Sequence, residues 1–183
     1  MTVLLKKLHV AAAVTAAALI VALPAAGWSA EQPSTDATMT KVDKATFVST
    51  AAAAGKFEIE SSKLALDKAT SKDVKKFARQ MVKDHTKAAK QLMNIINKEG
   101  DTPPADALAP KDAETMKQLQ AASGADFDKA YVSAQQKAHM DAVALFKNYS
   151  ANADDKRLGR FAKKTLPTLE KHLEHVKQLT ASQ

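Results

Sequence analysis

Between Val74 and Ile96 the chain repeats itself in alternating steps of four and three: Val74, Ala78, Met81, His85, Ala88, Leu92 and Ile95. Lys, Arg, Asp and Gln fill most of the positions between them. A period near 3.5 residues puts these seven side chains on one stripe of an α-helix, and so narrow a stripe is buried between other helices. One position departs from the apolar pattern. His85 stands at the centre of the seam, and an imidazole buried there needs a hydrogen-bond partner or a metal.

Three further segments carry the same rhythm. Asp43 is the expected N-cap of a helix running to about Lys68, with Phe47, Ala51, Ala54, Glu58, Ser61 and Ala65 in step. The adjacent series is Val48, Ala52, Gly55, Ile59, Ser62 and Leu66, so this helix has a face of small residues that lets a neighbour approach closely. Thr70-Ser71-Lys72-Asp73 supplies a turn and a cap, and the Val74 helix then runs from about Lys72 to Glu99-Gly100, where glycine stops it. A third long helix is expected from Asp126 to about Ala151, with Phe127, Tyr131, Ala134, Ala138, Ala142, Leu145 and Tyr149 inward. After a turn at Asn152-Ala153-Asp154-Asp155, a fourth presents Leu158, Ala162, Thr165, Leu169, His172, Val176 and Leu179, with a kink expected at Pro167.

Between the two hairpins, Asp101 to Pro110 contains three prolines and reads as irregular chain. Lys111 to Ala122 reads as a short helix with Met116 and Leu119 on its apolar side. A connection this long can cross from one end of a bundle to the other. The expected fold is therefore all-α: a ferritin-like four-helix bundle of two helical hairpins, joined by a long crossover with a short extra helix, over residues 41–181. No strand-like alternation is present.

The first thirty residues read differently. Lys6 and Lys7 precede an apolar or small run from Leu8 to Leu23, then Pro24 and small residues, the pattern of a secretory signal peptide. Cleavage is expected after Gly27, Ser29 or Ala30. The run is shorter than the ~20 residues of a spanning helix, so no transmembrane segment is expected after signal removal, and the protein is expected in the periplasm. Glu31 to Thr40 is polar, contains proline and lacks periodicity, as in a flexible leader.

The formal net charge is +7, and losing Lys6 and Lys7 with residues 1–30 leaves +5. The basic residues are spread along helix faces without an Arg-rich cluster, so nucleic acid is not an expected partner; a weak contact with anionic surfaces is. The chain has no cysteine, which excludes disulfides, iron–sulfur clusters and thiolate-bound zinc.

Glu58, His85, His139 and His172 place one potential ligand on or beside the buried stripe of each long helix. Glu58 and His85 lie at similar distances from the turn at Ser71, and His139 and His172 at roughly similar distances from the turn at Asp154. One carboxylate and three imidazoles at one level suit a mononuclear transition metal site for zinc, copper, nickel or iron. Met81 and Met140 add soft donors nearby. A Glu–His hydrogen-bond network without metal, with Glu58 paired to His85, satisfies the same pattern, and both readings stand. A ferritin-type di-iron site needs four carboxylates with Glu-x-x-His on two helices; Val82 and Leu169 occupy the places of those glutamates. The chain lacks a Gly-x-Ser-x-Gly elbow, a His-Glu-x-x-His motif and a Gly-rich phosphate loop, so no catalytic residues are expected.

Several segments carry a family likeness: Phe47 with Ala51-Ala-Ala-Ala-Gly55-Lys-Phe-Glu58, Val74-Lys-Lys-Phe-Ala78 with Met81-Val-Lys-Asp-His85, Phe127-Asp with Tyr131, His139 and Leu145-Phe146, and Phe161-Ala162 with Thr165-Leu-Pro167-Thr-Leu169 and His172-Leu173. From Thr40 to Leu179 the chain resembles a bacterial family of exported ferritin-like bundles, whose members carry a domain-of-unknown-function label or the name outer membrane protein. The resemblance implies an exported four-helix bundle and no particular activity. The outer-membrane name does not transfer, since a transmembrane barrel needs alternating strands. Two functional classes follow: a non-enzymatic envelope, stress or binding protein, and a metal-binding or weakly redox-active bundle.

Overall fold

The computed structural model describes residues 41–181. The expected signal peptide (1–30) and leader (31–40) lie outside the described residues. Five helices follow one another: α1 (Lys44–Lys68), α2 (Lys72–Glu99), α3 (Pro110–Ala121), α4 (Gly124–Asn152) and α5 (Lys156–Ala181). Among the described residues there is no strand.

The helices begin and end where local chemistry allows. Asp43 caps α1 by accepting from the Thr46 amide at 2.7 Å, and Ser71 caps α2 by accepting from Val74 at 3.3 Å. Gly100 ends α2 at φ 71°, a left-handed turn that favours glycine. Asp155 accepts from the amides of Arg157 and Leu158, both at 2.8 Å, and so starts α5. Pro110 opens α3, where its missing N–H costs nothing. Pro167 lies within α5.

Side-chain contacts fix the direction of each helix. At one end, the Lys44 ammonium reaches Glu99 at 2.9 Å and Asp155 at 3.5 Å, joining the start of α1, the end of α2 and the α4–α5 turn. At the other, Asp128 accepts from the amides of Thr70 (3.1 Å) and Ser71 (2.9 Å), joining the α1–α2 turn to the start of α4. Thus α1 and α5 run one way and α2 and α4 the other. The crossover through α3 carries the chain the length of the bundle, as in ferritin-like folds. Besides the two hairpin contacts, α1 packs on α4 and α2 on α5, while α3 lies against α1 and α4.

The core is divided in two. Phe57, Phe77, Met81, Phe127, Tyr131 and Val176 belong to the cluster nearer the Asp128 end. Phe47, Leu92, Ile96, Tyr149, Leu158 and Leu169 belong to the one nearer Lys44, where Phe47 and Tyr149 stack with centroids 3.9 Å apart. On α2, α4 and α5 the segments between them contain His85, His139 and His172, while Glu58 follows Phe57 within the stretch of α1 that belongs to the first cluster. A polar layer therefore separates two apolar ones.

On α5 the expected stripe holds at Leu158, Ala162, Leu169, His172, Val176 and Leu179, which are buried, while Thr165 is half-buried. On α4 the buried stripe is rotated from the expected one. Gln135, His139 and Phe146 are buried, while Ala134, Ala138 and Leu145 are only half-buried. Met140, weighed as a donor, is 52% exposed, and Met81 is packed in the first cluster.

Candidate metal centre

His85 from α2, His139 from α4 and His172 from α5 converge at the middle of the bundle, at most 7% exposed. Their ring centroids form a near-equilateral triangle with sides of 5.4, 5.5 and 5.4 Å. One ring nitrogen from each lies within 4.8 Å of those of the other two. On a single ion, metal–nitrogen bonds of about 2.0–2.1 Å set nitrogens roughly 3–3.5 Å apart.

Hydrogen bonds decide which nitrogen is free. His139 Nδ1 lies 2.9 Å from the Gln135 carbonyl oxygen, which can only accept, so Nδ1 carries the proton and Nε2 the lone pair. His172 Nε2 lies 3.0 Å from Asp84 Oδ2, which fixes its proton there and leaves the lone pair on Nδ1. His139 Nε2, His172 Nδ1 and His85 Nε2 are all buried without a hydrogen-bond partner. Buried polar atoms seldom go unpaired, and three together need an explanation.

The rings are neutral. Burial holds His85 well below the ordinary histidine value, helped by the neighbouring rings His139 and His172. Burial pushes His139 down to about 4, against the stabilising bond to Gln135. His172 is also lowered by burial, with Asp84 pulling the other way. Neutral imidazole is the ligating form, so the three donors need lose no proton to accept a cation.

Glu58 is 2% exposed and stands behind His139, with Oε1 3.4 Å from Nδ1. It does not belong to the three-ring group. Its neighbouring histidine is His139, whereas the sequence pointed to His85. Burial raises its carboxyl to about 8; hydrogen bonding to the Gln135 amide lowers it somewhat, and the charge of Asp112 raises it. That amide donates to Ser61 Oγ at 3.0 Å, and neither Glu58 oxygen has a partner in good geometry.

Two contributors escaped the sequence reading. Asp84, next to His85 in the chain, reaches across to His172 on α5. Gln135 orients His139 through its carbonyl, and the one available signal was its place four residues earlier on the same helix. His175 lies outside the triad, edge-on to Phe77 at 5.2 Å.

Residues 29–179, which take in all but the last two described residues, match a family model, a domain of unknown function (DUF4142). No curated protein matches the chain. Solved structures do. CopM in the Cu(II)-bound form is similar over 75% of this chain and 95% of its own, at 17% identity and a TM-score of 0.65. CopM in the Cu(I)-bound form is similar over 77% and 97%, at 18% identity and 0.64. A DUF305 fragment from Deinococcus radiodurans is similar over 75% and 94%, at 14% identity and 0.65. At these identities the likeness is one of fold, an all-α bundle.

Proposed function

We propose, for a chain that belongs to the DUF4142 family, a domain of unknown function, that it holds one transition metal ion on His85, His139 and His172, copper before the others. The observation that carries this reading is the meeting of three buried, neutral imidazoles, each with one nitrogen lacking a partner. Imidazole suits copper, zinc, nickel and iron, and copper stands highest in divalent affinity. The fold likeness to CopM, a protein solved with Cu(II) and with Cu(I), supports the same choice.

A bound copper ion would supply a one-electron couple and a Lewis-acid centre. The chain's own residues do the rest. Asp84 and the Gln135 carbonyl hold two of the rings with their lone pairs inward. The apolar clusters flank the layer on either side. Glu58, held largely protonated at neutral pH, adds little charge beside the donors. With one buried glutamate instead of four carboxylates, the set does not suit oxygen-activating di-iron chemistry. The role we assign is binding, without turnover.

Loading the purified chain with copper, removing excess ion, and recording metal content and X-ray absorption tests the reading. It expects one ion per chain with three imidazole neighbours. Failure to retain copper, zinc or nickel, or a shell of oxygen alone, contradicts it.

Export belongs to the same proposal and rests on Lys6, Lys7 and the apolar run to Leu23. Mass spectrometry of the periplasmic fraction should find chains beginning between Trp28 and Glu31; a chain retaining Met1 to Lys7 contradicts it. No described helix is long and apolar enough to cross a membrane. A weak contact with anionic surfaces is favoured by the outer face of α2, where Lys72, Lys76, Arg79, Lys83, Lys87 and Lys90 follow in steps of three and four.

A further inference from the structure

We propose that Phe77 decides how many imidazoles reach the ion: it holds His175 away from the triad and keeps the site at three protein nitrogens. The proposal deepens the metal reading above and rests on it.

His172 and His175 stand three residues apart on α5, neighbours across one turn of helix. The same spacing lets both side chains of a Glu-x-x-His pair enter the core of a di-iron bundle. Yet His175 is only half-buried, and it does not belong to the group of three whose ring nitrogens lie within 4.8 Å of one another. Helix geometry alone does not keep it out.

Phe77 on α2 fills the space between. Its ring lies edge-on to His175, with centroids 5.2 Å apart and planes at 90°. It lies 6.3 Å from His139, a corner of the triad, with planes at 61°. One apolar ring thus touches both the outlying imidazole and a ligating one. That ring is braced in turn. Phe77 is fully buried and meets Tyr131 edge-on at 6.3 Å. Tyr131 stacks on Phe127 at 6.1 Å, and its hydroxyl lies 2.8 Å from Ser62 Oγ on α1. A ring packed on these sides does not step aside without opening a void.

The consequence is selectivity among ions. Structural zinc is held by four ligands in a tetrahedron, and three imidazoles leave that shell open. In a chain without cysteine, a fourth imidazole is the donor that would close it. Removing the Phe77 ring opens the way for His175 to take that place.

NMR of the full chain with ¹⁵N-labelled imidazoles shows which rings ligate zinc, a diamagnetic probe, and competition with a chromophoric chelator gives its affinity. In wild type, zinc should shift the nitrogens of His85, His139 and His172 and leave His175 as it was. His175→Ala should then change zinc affinity less than about twofold. In Phe77→Ala, the His175 nitrogens should shift as well, and adding His175→Ala to that variant should weaken zinc at least about tenfold. Circular dichroism checks each fold, and Phe77→Val, which leaves a smaller void, replaces Phe77→Ala if that variant does not fold. Ligation by His175 in wild type, its absence in the folded Phe77 variant, or an equal effect of His175→Ala in both backgrounds overturns this proposal and leaves the metal reading standing. No shift at His85, His139 or His172 in wild type contradicts the metal reading, and this proposal with it.

Discussion

His172 shows how much one side chain depends on another far along the chain. Its ring is aimed by Asp84, 88 residues earlier, through a single 3.0 Å contact. A carboxylate behind a ligating imidazole fixes its tautomer and raises its basicity, and removing such a partner lowers metal affinity about 10–100-fold. Asp84→Ala should lose affinity in that range with the fold intact; unchanged affinity would show that the contact is incidental. The buried rings also set a pH dependence in the metal-free protein. His139 is held near 4, and His85 and His172 lie below 6.5, so below about pH 6.5 the unfolded chain binds protons that the folded chain refuses. Stability therefore falls as the pH drops, on the order of 3 kcal/mol from His139 alone by about pH 4. Glu58 acts in the opposite sense. Its folded value near 8 means that stability from this group declines as the pH rises from 4.5 to 8. Three rings against one carboxyl place the maximum near pH 6.5. Urea denaturation at pH 4.5, 6.5 and 8.5 measures this, and greatest stability at pH 4.5 would contradict the neutral-ring account.

At the scale of elements, the turns hold the helices in place. Asp128 accepts from two backbone amides of the α1–α2 turn, so Asp128→Ala leaves both unpaired and should cost about 2–3 kcal/mol in thermal or chemical denaturation. A loss below the error of the measurement would show that water replaces it freely. Gly159 on α5 is a separate case: a Cβ there would come 2.7 Å from Ala153 Cβ. Gly159→Ala should therefore destabilise by about 1–3 kcal/mol despite the better helix propensity of alanine, and a rise in Tm would refute the crowding. These elements were legible in the sequence to different degrees. The α5 stripe could be read because bulky apolar residues alternate there with Lys and Glu. On α4, Ala134 and Ala138 are small enough to sit at either a core or a boundary position, so they did not fix the helix phase. His139, which falls outside the expected series of inward residues, is fully buried. The Asp84–His172 contact could not be read at all, because pairing between α2 and α5 leaves no local trace.

For the molecule as a whole, the up-down-down-up order brings four helix midpoints to one level and sets a polar layer between two apolar clusters. The match of distances from the two turns anticipated that level; which side chains would touch depended on packing. The same arrangement leaves the basic outer face of α2 exposed. Co-sedimentation with vesicles of anionic phospholipid should be measurable at low salt and lost by about 0.5 M, where screening is nearly complete over a few ångströms. Binding that survives that salt, or that is equal on neutral vesicles, would contradict an electrostatic contact. The central claim is that three imidazoles hold one ion. Competition titration of copper against a chromophoric chelator, on wild type, a His85→Ala/His172→Ala double variant and His175→Ala, tests it most directly. The account predicts one tight equivalent in wild type, little change on removing His175, and at least about a hundredfold loss in the double variant. Equal affinity in wild type and the double variant would contradict it.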